Sequence, residues 1–346
     1  MMERIRIAID AMGGDLAPAA PVEAAAEAIR QNDGIELILL GDEQAIRSEL
    51  DRIGFSDSRL SVVHCTECIE MAEPPVAAIQ KKKDSSLVRG MMMVRKGEAD
   101  AVISAGSTGA VLVGGQVLVG RIRGVERPPL GALMPTEKGM SLLIDCGANV
   151  DARPTWLLQF AEMGSIYMES ALNIPNPTVG ILNIGAEEEK GNSLVKETIP
   201  LLKECSSINF IGSVEARDIP SGAADVIVTD AFSGNLIMKM YEGTATTIYR
   251  IAKKGLMSTL PGMIGGLLIK GTLKKTLLKR FDAAKYGGAP LLGLKGLVVK
   301  AHGSSGVVEF RVAIEQCTQF YRENVNEKIR ERMEAQASAI REMKKR

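Results

Sequence analysis

The sequence AVISAGSTGAVLVGGQVLVG occupies residues 101–120 and contains no charged side chain. An apolar stretch of about 20 residues is long enough to cross a lipid bilayer as a helix. Its middle argues against a membrane span, because SAGSTG at residues 104–109 is a polar, glycine-rich turn whose backbone groups would be unpaired in lipid. We therefore predict a buried strand over residues 101–104, a loop, and a buried helix that ends near residue 119.

The same succession of strand, small-residue turn and helix recurs along the chain. Apolar runs end at turns that begin with Ala11, Gly41, Cys146, Gly185 and Asp230, and a helical pattern follows each turn. Apolar strands that alternate with helices indicate a mostly parallel sheet covered by helices on both faces. Because no linker or fixed-period repeat interrupts the pattern, we predict a single α/β domain over residues 1–330 and a charged helical end over residues 331–346.

Composition and charge exclude several classes of protein. The 346 residues are 46% hydrophobic and 24% charged, which is typical of a well-packed globular chain and not of a disordered one. The 42 basic residues balance the 42 acidic ones, so no global field favours nucleic acid as a partner. Five cysteines are few and odd in number, and the charged N-terminus lacks the apolar core of a signal peptide. We therefore predict a cytoplasmic protein without disulfides.

Motifs for other chemistries are weak or absent. Cys65 and Cys68 have the spacing of a metal or redox pair, but no second pair completes a zinc site, so no metal is predicted. The glycine patterns of dinucleotide and nucleotide-triphosphate loops do not occur, which disfavours a Rossmann dehydrogenase or a kinase. The serine elbow of α/β hydrolases is also absent, so covalent catalysis has no support in the sequence.

Four polar, glycine-rich turns follow predicted strands. They cover residues 104–109, 183–191, 230–235 together with Lys239, and 301–306. In a parallel sheet such turns lie at the carboxyl ends of the strands, where hydroxyl groups, lysines and the N–H groups of helix N-termini bind oxyanions such as phosphate. Each turn alone is explained equally well by a helix cap or a tight turn. Together the turns predict an anion site at one sheet edge.

Charge is unevenly distributed despite the neutral sum. Nine basic residues and one acidic residue lie between positions 250 and 285, on both sides of an apolar stretch. We predict a helical hairpin at about residues 240–285 whose tip inserts shallowly into an anionic membrane surface. The tip residues are Leu256, Met257, Leu260, Met263 and Ile264. The alternative is a buried subunit interface, and both hold if a dimeric bundle exposes its tip.

The turns and their order resemble those of the PlsX family, the bacterial phosphate acyltransferases of fatty acid and phospholipid synthesis. The resemblance rests on IDAMGGDLAP at residues 9–18, the turn at 104–109, DCGAN at 145–149, the turns at 183–191 and 230–235, and HGSS at 302–305. It runs from about residue 5 to about residue 325. Ser107 departs from it, because the loop of the family is expected to carry an asparagine there.

The resemblance implies a fold, an activity and partners. The fold is a three-layer α/β/α structure similar to those of isocitrate dehydrogenases and phosphate acetyltransferases, in a homodimer with a projecting helical hairpin. The activity is transfer of a long-chain fatty acyl group from the thioester of acyl carrier protein to inorganic phosphate, without a metal or organic cofactor. The acyl phosphate then serves a glycerol-phosphate acyltransferase in phospholipid synthesis, and the enzyme associates peripherally with the inner face of the cell membrane.

The chemistry of this reaction suggests roles for the turn residues. Phosphate is already a nucleophile at neutral pH and a thiolate leaves readily, so the protein needs chiefly to position both and to stabilise the oxyanion. As oxyanion donors, proton donors or orienting groups in catalysis we predict Lys190, Asn235, His302 and Asp230. For binding of phosphate and substrate we predict Asp10, Gly13, Gly14, Gly106, Ser107, Thr108, Asn149, Gly185, Lys239, Gly303, Ser304 and Ser305.

Two alternative functions stay open at this point. One is an NAD-dependent dehydrogenase of the isocitrate or isopropylmalate type, which the absorbance of bound NAD would reveal. The other is a non-catalytic, membrane-associated scaffold for lipid-synthesis enzymes. A chain that forms no acyl phosphate from a carrier thioester and phosphate would favour the scaffold.

Overall fold

The structure is a computed structural model that describes residues 4–273 and 287–343. The chain forms two compact units and passes between them more than once. The first unit comprises Met1–Gly131, Glu162–Asn176 and Ala284–Arg346, and the second comprises Ala132–Ala161 and Pro177–Ala283. The single domain over residues 1–330 stays a prediction, whereas the alternation of strands and helices is confirmed in both units.

The first unit is built on a six-stranded sheet in the order β10-β11-β4-β1-β2-β3. Its strands are β1 (Ile5–Asp10), β2 (Ile35–Gly41), β3 (Leu60–His64), β4 (Ala101–Ser104), β10 (Ala289–Leu291) and β11 (Leu297–Lys300). All neighbouring pairs are parallel except β10 and β11. The inner strands are buried almost throughout, as expected when helices cover both faces of a parallel sheet.

The helices of the first unit follow its strands closely. They are α1 (Ala19–Gln31), α2 (Glu43–Arg52), α3 (Pro75–Lys81), α4 (Ser86–Lys96), α5 (Thr108–Gly114), which continues into a π-helical turn at Gly115–Val119, α10 (Val307–Arg322) and α11 (Val325–Met343). The predicted strand at 101–104 and the buried helix that ends near residue 119 are therefore confirmed. Helix α11 covers the part of the charged C-terminal end that the structure describes.

The second unit has a five-stranded sheet in the order β5-β6-β9-β7-β8. Its strands are β5 (Gly131–Pro135), β6 (Met140–Ile144), β7 (Thr178–Asn183), β8 (Asn209–Glu215) and β9 (Val226–Val228). Strands β6, β9, β7 and β8 run parallel to one another. The remaining elements are α6 (Pro154–Leu172), whose first half belongs to this unit, α7 (Ser193–Glu204), a 3-10 turn at Ala216–Ser221, α8 (Ala231–Leu256) and α9 (Leu260–Leu273).

The presence of two sheets corrects one prediction. The turns at 104–109 and 301–306 follow β4 and β11 of the first sheet, whereas those at 183–191 and 230–235 follow β7 and β9 of the second. The four turns therefore do not share one sheet edge. Strand order is set by pairings between distant parts of the chain, and a local pattern of strand and helix does not contain it.

Helices α8 and α9 lie in the segment predicted to form a helical hairpin at about 240–285. They pack against each other, and a side chain at Gly266 of α9 would lie 3.7 Å from Leu256 Cβ of α8. Residues 274–286, which include several of the basic residues of this segment, lie outside the described residues. Among the helices that the structure describes, none is both long and apolar enough to span a membrane.

Candidate active site

Three loops meet at the carboxyl ends of neighbouring strands β11, β4 and β1 in the first unit. We call residues 10–15, 104–108 and 300–306 the first loop cluster. The Asp15 N–H donates to Gly303 O at 2.8 Å, and the Ala301 N–H donates to Ser104 O at 2.9 Å. The loops are thus joined by main-chain hydrogen bonds, as the sheet order β11-β4-β1 requires.

Two glycines allow the loops of this cluster to approach so closely. A Cβ atom on Gly13 would lie 2.6 Å from Asp10 Oδ2 and 2.7 Å from Gly106 N, too near for either neighbour. Gly14 has a φ of +98°, which side-chain-bearing residues rarely adopt, and its Cβ would lie 2.9 Å from Gly303 O. Gly13 and Gly14 therefore allow the backbone of these loops to approach closely, and their contact with phosphate stays a prediction.

Asp10 is the hub of hydrogen bonds beneath the first loop cluster. Its buried carboxylate accepts from Ser86 Oγ at 2.6 Å, from Ser104 Oγ at 2.7 Å and from the Met12 N–H at 3.2 Å. Ser104 Oγ in turn accepts from the Gly106 N–H at 3.0 Å. Burial raises the pKa of Asp10, and these hydrogen bonds oppose that rise. Because its acceptors are occupied, Asp10 holds the loops together.

Lys300 is a buried cation in the same cluster that the sequence analysis missed. Its side chain is the last of β11, the residue is only 8% exposed, and Nζ donates to the carbonyls of Ala105, at 3.4 Å, and Ala301. Burial lowers the pKa of Lys300 to about 8, and the negative charge of Asp10 opposes the shift. A lysine that ends the apolar run LVVK is the signal that could have singled it out.

The hydroxyl groups of the first loop cluster differ in how they are engaged. Ser305 Oγ is buried and has no hydrogen-bond partner, and Ser107 makes no side-chain cap at the start of α5. Ser304 Oγ lies 2.9 Å from Nδ1 of the exposed His302. Thr108 is exposed. The helix-cap interpretation therefore fails for Ser107, and Ser305 carries a polar atom that lacks a partner.

The second unit has its own set of turns at the carboxyl ends of β6, β7 and β9. We call residues 145–149, 183–192 and 229–235 the second loop cluster. Asp145 accepts from the N–H groups of Gly147, Ala148 and Asn149 at 2.9–3.0 Å and from Asn149 Nδ2 at 2.7 Å. Asn149 is therefore a buried residue with a fixed side chain, and its role in binding substrate stays a prediction.

Helix α8 begins within this cluster. Asp230 caps it, because its carboxylate accepts from the Ser233 N–H and from Ser233 Oγ, both at 2.9 Å. The backbone at Gly234 packs so tightly that a Cβ there would clash with Asp145 O. Asn235 follows, and its Oδ1 atom is buried without a hydrogen-bond partner, while Lys239 lies exposed one turn further along. Asp230 acts as a cap here, whereas Asn235 has an unused acceptor.

Lys190 lies on the exposed loop between β7 and α7. Its Nζ pairs with Glu187 at 2.9 Å, which raises the pKa of Lys190 and lowers that of Glu187. Gly185 leaves room for the lysine, because a Cβ there would lie 2.6 Å from Lys190 Cδ. Asn183 holds the loop, since its amide donates to Lys190 O at 3.2 Å and its Oδ1 accepts from the Ile184 N–H at 2.8 Å.

The structure thus sorts the predicted site residues into two groups. Asp10, Gly13, Gly14, Gly106, Ser107, Thr108, His302, Gly303, Ser304 and Ser305 lie in the first loop cluster. Asn149, Gly185, Lys190, Asp230, Asn235 and Lys239 lie in or beside the second. Ser86 and Lys300 lie outside every turn named in the sequence analysis, whereas Ser104, Asp145 and Asn183 lie in those turns but had no individual role.

The predicted tip residues and the cysteine pair have simple surroundings. Met257, Leu260, Met263 and Ile264 are exposed, and Leu256 is half-buried. Burial raises the pKa values of Cys65 and Cys68 to about 11, so neither is a reactive thiolate at neutral pH. Within residues 4–273 and 287–343, no group of three His, Cys, Asp or Glu side chains is arranged to hold a metal ion.

Comparisons with known proteins match this chain to a family model and to phosphate acyltransferases. A family model described as fatty acid synthesis protein matches residues 5–328. The phosphate acyltransferase of Clostridium novyi (strain NT) is 47% identical over 330 residues, which are 95% of this chain and 99% of that protein. That of Clostridium tetani (strain Massachusetts / E88) is 45% identical over 329 residues, 95% of this chain and 98% of that protein.

Solved structures of low sequence identity share the fold. A phosphotransacetylase from Streptococcus pyogenes has a TM-score of 0.58 at 19% identity and covers 92% of this chain and 94% of its own. The EutD phosphotransacetylase from Staphylococcus aureus has a TM-score of 0.57 at 15% identity, with coverages of 93% and 94%. The predicted three-layer α/β fold is therefore confirmed.

Proposed function

This chain belongs to the PlsX family of phosphate acyltransferases, and we propose that it transfers a long-chain fatty acyl group from the thioester of acyl carrier protein to inorganic phosphate. The resemblance found in the sequence is thereby confirmed at the level of family and enzyme class. Membership of this family favours acyl transfer over the dehydrogenase and scaffold alternatives. The carrier, the chain length and the residue roles below belong to the proposal.

One observation carries the assignment of the site. Among the described residues, the buried side-chain nitrogen and oxygen atoms without a hydrogen-bond partner are Ser305 Oγ and Asn235 Oδ1. Buried polar atoms are rarely left unpaired, because each costs the full loss of its hydration. Both atoms belong to residues that the sequence assigns to the site, one in each loop cluster. Ser305 Oγ can donate to a substrate oxygen, and Asn235 Oδ1 can accept from a substrate N–H or O–H, so bound substrate explains why the protein retains both atoms.

The first loop cluster suits phosphate. Ser305 offers a hydroxyl, and Ser107, Thr108 and Ser304 offer further hydroxyls near the glycine backbone. Lys300 supplies a positive charge within the same cluster. Its ammonium group donates to Ala105 O and Ala301 O, which belong to two of the loops. A dianion bound in a low-dielectric site requires such a charge. We assign phosphate binding to this cluster, with Asp10, Gly13, Gly14, Gly106 and Gly303 shaping it.

The second loop cluster suits the acyl carbonyl. We assign stabilisation of charge on the carbonyl oxygen to the donors Lys190 Nζ and Asn235 Nδ2. Asp230 caps the helix that carries Asn235, and Asn149 holds the turn at 145–149. Lys190 pairs with Glu187 on the surface, and exposed pairs of this kind exchange partners readily. A developing oxyanion offers the lysine a stronger partner. Gly185 and Lys239 complete the polar surroundings.

The reaction then needs no redox step and no reactant other than the acyl thioester and hydrogen phosphate. An oxygen of hydrogen phosphate attacks the thioester carbonyl carbon, and a C–O bond forms to give a tetrahedral oxyanion. Collapse of this oxyanion restores the carbonyl and breaks the C–S bond, and the thiolate takes up the proton that hydrogen phosphate has lost. His302 is our assignment for carrying that proton, since it is exposed and neighbours Ser304. Positioning and electrostatic stabilisation supply most of the rate.

The carrier protein and the membrane provide the wider setting. An acidic carrier protein would dock on exposed basic residues of the first unit, namely Arg89, Arg95, Lys96, Arg121 and Arg123. Of these, Arg89 pairs with Asp84 at 2.6 Å. The exposed apolar residues Met257, Leu260, Met263 and Ile264 suit contact with an anionic membrane surface or with the second subunit of a homodimer. A glycerol-phosphate acyltransferase would consume the product.

Product formation tests this proposal. The purified chain is incubated with phosphate and either palmitoyl acyl carrier protein or palmitoyl-coenzyme A, and acyl phosphate is trapped as its hydroxamate. We expect phosphate-dependent product from both donors and a lower KM for the carrier protein. Product from the coenzyme A thioester alone would overturn the carrier assignment, and absence of product from both would overturn the function.

A further inference from the structure

The second unit contains a cleft of about 500 Å³ that the phosphate chemistry does not use. Leu157, Ile181, Leu182, Leu194 and Val195 form its apolar wall, and residues of the second loop cluster line the rest. A cleft of this volume lies within the range of about 300–1,000 Å³ that small-molecule ligands occupy. Its apolar wall calls for a ligand whose chemistry is unlike that of phosphate.

The local sequence explains why the cleft is lined this way. Gly191 has a φ of +103°, and a Cβ there would lie 2.5 Å from Asn183 Oδ1. The chain can therefore turn sharply into α7, which Asn192 caps by accepting from the Val195 N–H at 3.0 Å. This cap fixes the first turn of α7, so Leu194 and Val195 are presented to the cleft while the polar groups of the loop bond to one another.

The two walls of the cleft differ in polarity. Leu157 and Ile181 are each 1% exposed, so this side is part of the packed interior. Asn183, Thr229, Asp230 and Ser233 lie on the polar side. Ile184, between the two, is 79% exposed, which is unusual for a large apolar side chain beside a polar loop. A ligand with one polar end and one apolar end matches this distribution.

We infer that this cleft binds the hydrocarbon chain of the acyl donor, with the thioester at the polar end lined by Asp230 and Ser233 and the chain against Leu157, Ile181, Leu194 and Val195. The inference rests on the proposed function, because the acyl chain is the part of the substrates that has no polar group. It places selection of the chain in the second unit. Burial of each methylene group strengthens binding about fourfold, so affinity should rise with chain length until the wall is filled.

Matched substitutions on one helix test the inference. Leu194→Phe fills the cleft from the first turn of α7, whereas Leu201→Phe makes the same change further along α7, at a residue that does not line the cleft. Turnover is measured with carrier thioesters of eight to eighteen carbons. We expect Leu194→Phe to lower kcat/KM about tenfold or more for the long chains and to leave the short ones nearly unchanged, with Leu201→Phe close to the unsubstituted chain.

The outcomes separate the inference from the function on which it rests. If the unsubstituted chain forms no acyl phosphate at any length, the proposed function is wrong. If it forms acyl phosphate and the two phenylalanine variants have the same chain-length profile, the cleft is not the acyl site. Melting temperatures of both variants show whether a loss for Leu194→Phe reflects a failure to fold.

A second experiment does not depend on turnover. A palmitoyl thioester that carries a diazirine at its chain end is photolysed with the protein, and the labelled peptide is identified by mass spectrometry. We expect the label within residues 181–195 or at Leu157. A label confined to α9 or to residues 240–256 of α8 would overturn the inference and would favour a membrane-facing site for the chain.

Discussion

The lysines of the two loop clusters differ, because Lys300 of the first is buried and held by fixed neighbours, whereas Lys190 of the second is exposed and pairs with Glu187. Asp10 accepts from two serine hydroxyls and a backbone N–H, and Lys300 donates to two backbone carbonyls. The second cluster keeps its fixed bonds for Asp145 and Asp230, which hold backbone. The first cluster is therefore built for one small anion, and the second can adjust to a reacting carbonyl.

The largest expected effect comes from removing the hub of the first cluster. Asp10→Ala leaves two serine hydroxyls and the Met12 N–H without their acceptor and Lys300 without its nearby negative charge. We expect the free energy of unfolding to fall by about 3–5 kcal/mol in urea denaturation, the cost of breaking a buried charged network. Asp51→Ala, an exposed aspartate on α2, is the control. Equal stability of the two variants would mean that the first cluster is not held by Asp10.

The second cluster should respond in the opposite way. Lys190→Ala removes an exposed side chain, so we expect no measurable change in melting temperature but a loss in kcat of about 100-fold, as for removal of an oxyanion donor. Lys196→Ala, an exposed lysine on α7, should keep normal kcat. Steady-state kinetics of both variants decides. Normal kcat for Lys190→Ala would remove this residue from the mechanism.

The pH dependence of phosphate binding tests the role of the buried Lys300 in the first loop cluster. The pKa of Lys300 is about 8, so its positive charge is present below that pH and is lost as the pH rises through it. The KM for phosphate should therefore rise several-fold between about pH 7 and pH 9.5. Lys300→Arg keeps its charge over this range, since the pKa of arginine is above about 12, and its KM should stay flat. The same rise in both proteins would assign the effect to another group.

The smallest expected effect concerns helix α9 of the second unit. Leu260→Glu combined with Ile264→Glu places two charges on the exposed apolar face of α9. In flotation with vesicles that contain anionic lipid, we expect the bound fraction to fall several-fold. Val117→Glu changes an exposed apolar residue of the first unit and should leave flotation unchanged. Unchanged flotation of the double variant would contradict membrane contact by α9 and would favour its role in a subunit interface.

The sequence predicted local features of the fold and failed on non-local ones. The strand at 101–104 and the helix after it follow from apolar runs and a polar turn, which are local properties. The division into two sheets depends on which strands pair, so the turns at 104–109 and 183–191 were wrongly placed on one edge. Lys300 was missed because a lysine at a strand end usually reaches solvent, and its burial depends on loops far away in the chain.

The sequence assigned residues to the site but did not show which of them only cap helices. Asn235, just after the first turn of α8, and Ser305, just before α10, belong to turns that a helix cap explains equally well. The structure shows that neither polar atom is used in that way, because Asn235 Oδ1 and Ser305 Oγ are buried without partners. Asp230, in contrast, is the cap of α8 that its position suggests. The sequence alone could not distinguish these cases, since it does not give the direction of a side chain.

The separate roles proposed for the two loop clusters are tested most directly by comparing Ser305→Ala with Asn235→Ala in steady-state acyl phosphate formation. If the first cluster binds phosphate and the second stabilises the reacting carbonyl, Ser305→Ala should raise the KM for phosphate about tenfold with little change in kcat. Asn235→Ala should lower kcat about 100-fold and leave the KM for phosphate nearly unchanged. The same kinetic parameter changed in both variants, or neither changed, would contradict the account.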